Sequence, residues 1–203
     1  MKPKEGRIKE LLRERGLDGA IVSSPENFHY VTGFGGHQHT VSRQPGFTLA
    51  VMCSDDKAPT HITTMDFEAA TFRIKSAGLG FVVDPYDTWV GLKTWPEISQ
   101  GAVLPDKTRM ESSADKLEQF VKACDLADKR IGVEMDYLTV PYYNMICEKF
   151  PEAQLVDISD LFVYARSIKT EEEIKMFREL CRIADHGFTQ VSRMAGIGVS
   201  EKE

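Results

Sequence analysis

Apolar residues recur along this chain in two rhythms, and the alternation between them predicts its elements. Ile8, Leu11 and Leu12 form one stripe of a helix over residues 4–15. Gly16 suits the left-handed position just past its end, with Leu17 as the closing apolar contact. Asp18-Gly19 then turns the chain into Ala20-Ile21-Val22, a short run typical of a buried strand. Ser24 as N-cap and Pro25 in the first helical position predict a turn of helix to Tyr30, followed by a loop, Thr32-Gly33-Phe34-Gly35-Gly36. Strands over 47–52 and 60–64 flank the turn Ser54-Asp55-Asp56 and read as a hairpin. Residues 66–76 read as a helix with Asp66 as N-cap and Gly78 past its end, and 80–83 as a strand. Residues 88–101 are ambiguous, because Trp95-Pro96 interrupts any helix there. Leu117, Phe120, Val121 and Cys124 share one face of a helix over 112–127. A strand at 130–134, a helix at 139–150 with Pro141 in its first turn, a strand at 154–157 and a helix from Ser159 complete the series.

Mostly alternating strands and helices predict an α/β domain of three layers around a central mixed β-sheet, ending near Ala165. Residues 166–203 differ in character. Thr170 and Glu173 have the spacing of a capping box, and Glu171, Glu172 and Glu173 suit the positive end of a helix dipole. Ile174, Phe177, Cys181, Ala184, Phe188, Val191 and Ala195 then recur at three- and four-residue intervals. This predicts a long C-terminal helix whose apolar stripe pairs with another copy, folds back on its own domain, or stays disordered.

Composition narrows the function classes. The chain has 203 residues, 42% hydrophobic and 28% charged, close to an average globular protein. A formal net charge of −6 argues against non-specific nucleic-acid binding, which needs a basic surface. No secretory signal follows Met1, and no run approaches the ~18 apolar residues of a membrane span, so the expected location is the cytoplasm. Cys53, Cys124, Cys147 and Cys181 lack close metal or redox spacings and read as reduced, mostly buried thiols.

The candidate chemistry is sparse. On an extended strand the rings of His37 and His39 would face one way and a metal could bridge them, with His29 or His61 as a third ligand. The alternative is a polar, flexible loop after Gly35-Gly36. Asp66 and Glu68 read as cap and first-turn charge rather than an acid pair. Gly33-Phe34-Gly35-Gly36 lacks the third glycine of a dinucleotide fingerprint, and there is neither a G-x-S-x-G elbow nor a phosphate-binding loop. Trp89, Trp95 and Tyr86 read as core or domain-interface packing.

Two stretches carry a resemblance. Asp18-Gly19-Ala20-Ile21-Val22 followed by Asn27-Phe28-His29-Tyr30-Val31-Thr32-Gly33-Phe34 resembles the D-G-φ-φ-φ…N-φ-x-Y-φ-T-G-F pattern (φ apolar) that opens members of the creatinase/prolidase/aminopeptidase P group. Arg166-Ser167-Ile168-Lys169-Thr170, with Glu173, Ile174 and Arg178, is similar to the segment joining that group's N-terminal domain to its pita-bread catalytic domain. The resemblance implies a creatinase N-terminal-like domain with a ribonuclease H-like motif over residues 1–165. Residues 166–203 would be the linker and first helix of the catalytic domain. It also implies a dinuclear centre of two divalent metal ions whose five ligands would all lie beyond Glu203, so that no cofactor is expected in this chain. Gly198-Val199-Ser200-Glu201-Lys202-Glu203 is similar to the G-x-[ST]-E-x-E that follows the first catalytic-domain helix.

In the creatinase-like branch an arginine and an aromatic residue of the loop after T-G-F reach the partner subunit's active site. Arg43-Gln44-Pro45-Gly46-Phe47 resembles that segment, and an arginine fork suits a carboxylate. Arg43, with His37 or His39 beside it, is therefore the candidate substrate-binding group facing a partner. The implied function is the non-catalytic N-terminal domain of a metal-dependent hydrolase, homodimeric, acting on a Xaa-Pro peptide or a small amide or amidine. The alternative is a peptide- or protein-binding module of a catalytically inactive relative, such as the large subunit of the FACT histone chaperone. Neither reading involves nucleic acid or a membrane.

Overall fold

The computed structural model describes residues 3–88, 95–99 and 111–196, together with 198 and 200. They fall into two compact units, Met1–Val163 and Tyr164–Glu203. The first is built on six strands: β1 (Gly19–Val22), β2 (Leu49–Cys53), β3 (His61–Thr63), β4 (Val82–Val83), β5 (Arg130–Val133) and β6 (Gln154–Asp157). Their order across the sheet is β4-β3-β2-β1-β5-β6. β1 is central, antiparallel to β2 and parallel to β5, so the sheet is mixed as expected. The expected hairpin is β2 with β3, in the register Leu49↔Thr63.

Strand residues alternate between faces. One face carries Ile21, Leu49, Val51, Ile131 and Val133, packed with Leu117, Phe120 and Val121 of α6 (Ser113–Ala123) and Ile146 of α7 (Val140–Lys149). Ala20, Val22 and Met52 point the other way. Ile8 and Leu12 of α1 (Glu5–Glu14) and Phe28 of α2 (Pro25–Thr32) are also fully buried. Helices thus cover both faces, the α/β architecture the pattern predicts.

Local signals in the sequence act where they are placed. Leu17 N donates to Leu12 O at 2.9 Å and Gly16 N to Arg13 O at 3.0 Å, closing α1 through a left-handed glycine with φ +64°. Ser24 caps α2, accepting from Asn27 N, and Gly33 ends it at φ +81°. α6 opens on a reciprocal capping box between Ser112 and Asp115.

Three expectations need correction. The helix after Asp66 begins as a 3-10 turn, Asp66–Glu68, before α4 (Ala69–Ser76). Asp66 does not cap α4; its carboxylate accepts from Thr88 Oγ1 at 2.5 Å and Phe67 N at 2.9 Å. Trp95, in α5 (Trp95–Ser99), is 78% exposed rather than packed in a core, whereas Tyr86 is buried. Trp89 and most of the ambiguous stretch 88–101 lie outside the described residues. Of the cysteines, Cys53 is buried, Cys124 and Cys147 half-buried, and Cys181 exposed.

α8 (Ser159–Ser167) buries Leu161 and Phe162. In the second unit α9 (Glu171–Met194) opens on the predicted capping box: Glu173 N donates to Thr170 Oγ1, and Thr170 N donates to Glu173 Oε2 at 2.7 Å. No residue of α9 is buried, and Phe177 and Phe188 are exposed.

Candidate functional site

The loop after α2 is where the sequence places its candidate groups. Gly33 turns the chain out of α2, and Thr32 holds the turn, the one proton of its Oγ1 shared between Phe28 O at 2.8 Å and Phe34 O at 2.7 Å. Phe34 then inserts edge-on against Phe72 and Phe28, at ring-centroid distances of 5.5 and 6.2 Å. This aromatic anchor fixes the start of the next segment.

That segment is neither strand nor loop. Residues His37–Ser42 form a short helix, α3. Its N-cap is Gly36, whose missing side chain makes room for a cap from elsewhere. A Cβ there would lie 2.6 Å from Glu68 Oε2 and 3.0 Å from the Phe72 ring. Glu68 Oε1 accepts from Gln38 N at 3.1 Å, so a carboxylate thirty residues downstream caps α3. Thr40 and Ser42 bond back to the carbonyls of Gly36 and Gln38.

The helix separates the two histidines, since residues two apart on a helix point to different sides. His39 faces inward and is 1% exposed, with its ring against the edge of Phe28 at 5.3 Å. Its Nε2 lies 2.7 Å from Ser23 O, which can only accept, so Nε2 carries the proton. Nδ1 is buried without a hydrogen-bond partner. Burial pushes the imidazole pKa below its usual value, outweighing the attraction of Glu68 and Glu26. The expectation that His39 lines a substrate-binding mouth is therefore corrected: it is a structural histidine. The geometry in which His37 and His39 could bridge a metal is lost with the helix, as is the polar loop favoured over it, and no group of three or more His, Cys, Asp or Glu able to hold a metal occurs among the described residues. The donor set described here does not fit a dinuclear centre.

His37 is exposed on the outer side. It lines an open cleft of about 740 Å³ with His29, Gly35, Thr40, Val41 and Lys75. Lys75 reaches over from α4, its Nζ donating to Gly35 O at 3.1 Å. The His29 pKa is lowered by burial first, with the charge of Lys75 adding to it. Two imidazoles and an ammonium around an apolar edge offer hydrogen-bond donors and positive charge to an anionic ligand. Lys75 carried no signal in the sequence beyond being a basic residue near a helix end.

Arg43 closes α3 in the left-handed conformation, at φ +49°. Its guanidinium forks onto Glu26, with Nη1–Oε1 at 2.5 Å and Nη2–Oε2 at 3.2 Å. Both side chains are about half exposed, 52% and 51%, and this pair raises the arginine's pKa further. The fork thus already holds a carboxylate, at the surface, in the geometry a carboxylate ligand would use.

Beneath this surface lies a group the sequence did not single out. Glu134 directly follows β5 and is fully buried. Its Oε2 accepts from the backbone amides of Ser23 and Ser24, the latter at 2.9 Å, and its Oε1 accepts from Ser24 Oγ and Asn27 Nδ2, both at 2.5 Å. Ser23 Oγ adds a longer bond at 3.3 Å. The carboxylate ties the end of β5 to the start of α2. Ser23, which bonds Glu134, also bonds His39, so the cleft-bearing helix is anchored to the centre of the sheet.

Residues 6–168 match the profile of the Creatinase/Prolidase N-terminal domain. An uncharacterized peptidase of Bacillus subtilis, YqhT, is 28% identical over 196 residues, 96% of this chain and 44% of its own. The creatinase of Bacillus sp. strain B-0618 is 23% identical over 197 residues, covering 97% of this chain and 41% of its own. The chain therefore spans less than half the length of these relatives. A dipeptidase structure from Pyrococcus horikoshii shares the fold over 97% of this chain and 46% of its own, with a TM-score of 0.67 at 21% identity. The mixed sheet, the Thr32-Gly33-Phe34 turn and a match covering most of the residues converge, and the chain belongs to the Creatinase/Prolidase N-terminal domain family.

Proposed function

We propose that this chain is the non-catalytic N-terminal domain of a metal-dependent hydrolase that cleaves carbon–nitrogen bonds in a Xaa-Pro peptide or a creatine-like small molecule. The observation that carries this reading is the family match over residues 6–168, together with relatives described as a peptidase and a creatinase. In this reading the enzyme is a cytoplasmic homodimer, and two divalent metals in the catalytic domain supply the activated water. This domain controls substrate access: the cleft beside His37 meets the anionic end of the substrate, and Arg43 exchanges Glu26 for a substrate carboxylate. An exposed ion pair is easily exchanged, because water already screens it.

The test uses the enzyme including its catalytic domain and the 203-residue chain by itself, each assayed on Xaa-Pro dipeptides and creatine. The expected result is turnover by the former only, with Arg43→Ala raising KM and lowering kcat/KM. Tight binding of two divalent metals and turnover by the 203-residue chain alone would overturn the reading. So would an inactive complete protein that binds peptides, which would favour an interaction module. An Arg43→Ala enzyme with unchanged kcat/KM on every substrate would remove Arg43 from the site.

A further inference from the structure

Cys53 and Cys124 are 71 residues apart in sequence and meet at one end of the sheet. Cys53 ends β2, and Cys124 is the C-cap of α6, which packs across that strand. The Cys53 thiol donates to the carbonyl oxygen of Cys124 at 3.5 Å, so the two residues are in direct contact. Close cysteines are what a disulfide requires, since cysteines far apart cannot be joined without moving the backbone.

The surroundings make the two sulfurs unequal. Lys9 is 2% exposed, and its ammonium is held in place by the carbonyls of Asp55 and Ala58, at 3.1 and 2.7 Å, and by Glu5 at 2.9 Å. The Cys53 pKa is lowered, first by the Cys124 side chain and, after the opposing effect of burial, by the charge of Lys9. The hydrogen bond to Cys53 and burial keep Cys124 a thiol. A thiol biased toward thiolate, in contact with a second cysteine residue, suits an attacking and a resolving cysteine. Cys53 is 8% exposed and Cys124 half-buried, so the reagent that reaches them must be small.

We propose that Cys53 and Cys124 are a reversible oxidation site that a small peroxide converts to a disulfide joining β2 to the end of α6. In the first step the Cys53 sulfur attacks one oxygen of hydrogen peroxide. The O–O bond breaks, a Cys53 sulfenic acid forms, and the departing hydroxide is protonated to water. In the second step the Cys124 sulfur attacks the Cys53 sulfur and expels the hydroxyl, which takes the Cys124 thiol proton and leaves as water. Two thiols are oxidised, one peroxide is reduced, and two waters result. A dithiol reductant reverses the change.

The experiment treats the folded chain with hydrogen peroxide, alkylates the remaining thiols, and maps peptides without reduction. A Cys181→Ser background removes cross-linking through the exposed cysteine. The expected product is one intramolecular Cys53–Cys124 linkage, with Cys147 alkylated and full reversal by dithiothreitol. In Cys124→Ser, Cys53 should be trapped by dimedone as its sulfenic acid, and Lys9→Met should slow oxidation severalfold. Should Lys9→Met fail to fold, the pH profile of Cys53 labelling by methyl methanethiosulfonate replaces it, with half-reaction expected below that of an ordinary cysteine thiol. Recovery of Cys53 and Cys124 as alkylated thiols after peroxide treatment, their overoxidation without linkage, or a different pairing would overturn the proposal.

Discussion

Replacing Glu134 tests how the candidate site is held in place. The side chain is fully buried and accepts from the amides of Ser23 and Ser24, the hydroxyl of Ser24 and the side-chain amide of Asn27. In Glu134→Ala the serine hydroxyls can rotate to other acceptors, but the two backbone amides and the Asn27 amide cannot all do so. Each buried donor left without an acceptor costs about 1–3 kcal/mol, so three of them with some access to water set an expected loss of about 4–5 kcal/mol. Glu134→Gln keeps one carbonyl oxygen for the backbone amides and loses the charge-assisted bonds, for an expected loss of about 2 kcal/mol. Against a typical domain stability of about 5–15 kcal/mol, the alanine variant should be close to unfolding at room temperature. Urea unfolding followed by far-UV circular dichroism measures both differences. A loss under about 1 kcal/mol for Glu134→Ala, or a glutamine variant weaker than the alanine one, would refute the reasoning that these bonds join β5 to α2.

Further outcomes follow from other contacts. His39 is buried neutral with its pKa below the usual value, so the unfolded chain binds the proton first as pH falls. Stability should be constant above about pH 6.5 and decline below it, at up to about 1.4 kcal/mol per unit until the folded-state pKa is passed. His39→Gln, which keeps a donor for Ser23 O, should flatten that part of the slope; an unchanged slope would mean other groups, such as His29 or His61, cause it. Gly36→Ala puts a methyl against Glu68 and Phe72 and should lower stability by about 2 kcal/mol, measurable by thermal unfolding. Asp125 follows α6 at φ +53°, with Leu126 N bonded to Val121 O at 2.9 Å. Asp125→Gly should relieve that conformation and raise Tm by about 2 °C; a fall in Tm would contradict it.

What was legible in the sequence follows from the range of the interactions. The ends of α1, α2 and α9 are set by residues within a few positions: Gly16, Ser24-Pro25, Gly33, and Thr170 with Glu173. Those signals were readable. The mixed sheet was readable too, because β1, β2 and β5 are buried on both faces and leave short apolar runs. α3 was not, since its cap comes from Glu68 and a six-residue helix behind two glycines carries no local start signal. Missing α3 placed His37 and His39 on one face, and the helix sends them to opposite environments. Glu134 looked like a strand residue because its donors lie 107–111 positions earlier in the chain. Asp66 resembled a cap until Thr88, 22 residues away, claimed its carboxylate.

The place of β1 in the sheet has a consequence for synthesis. This strand leaves the ribosome before β2 and finds it within about thirty residues, in register with Cys53 opposite Gly19. Its other edge waits for β5, whose Ile131 pairs with Gly19. Until residues 131–133 emerge, a nascent chain presents one side of an entirely apolar strand with its backbone groups unpaired, which is a template for joining another chain. Fragments that stop short of Val133 should therefore aggregate during expression, while those that extend through β6 should not.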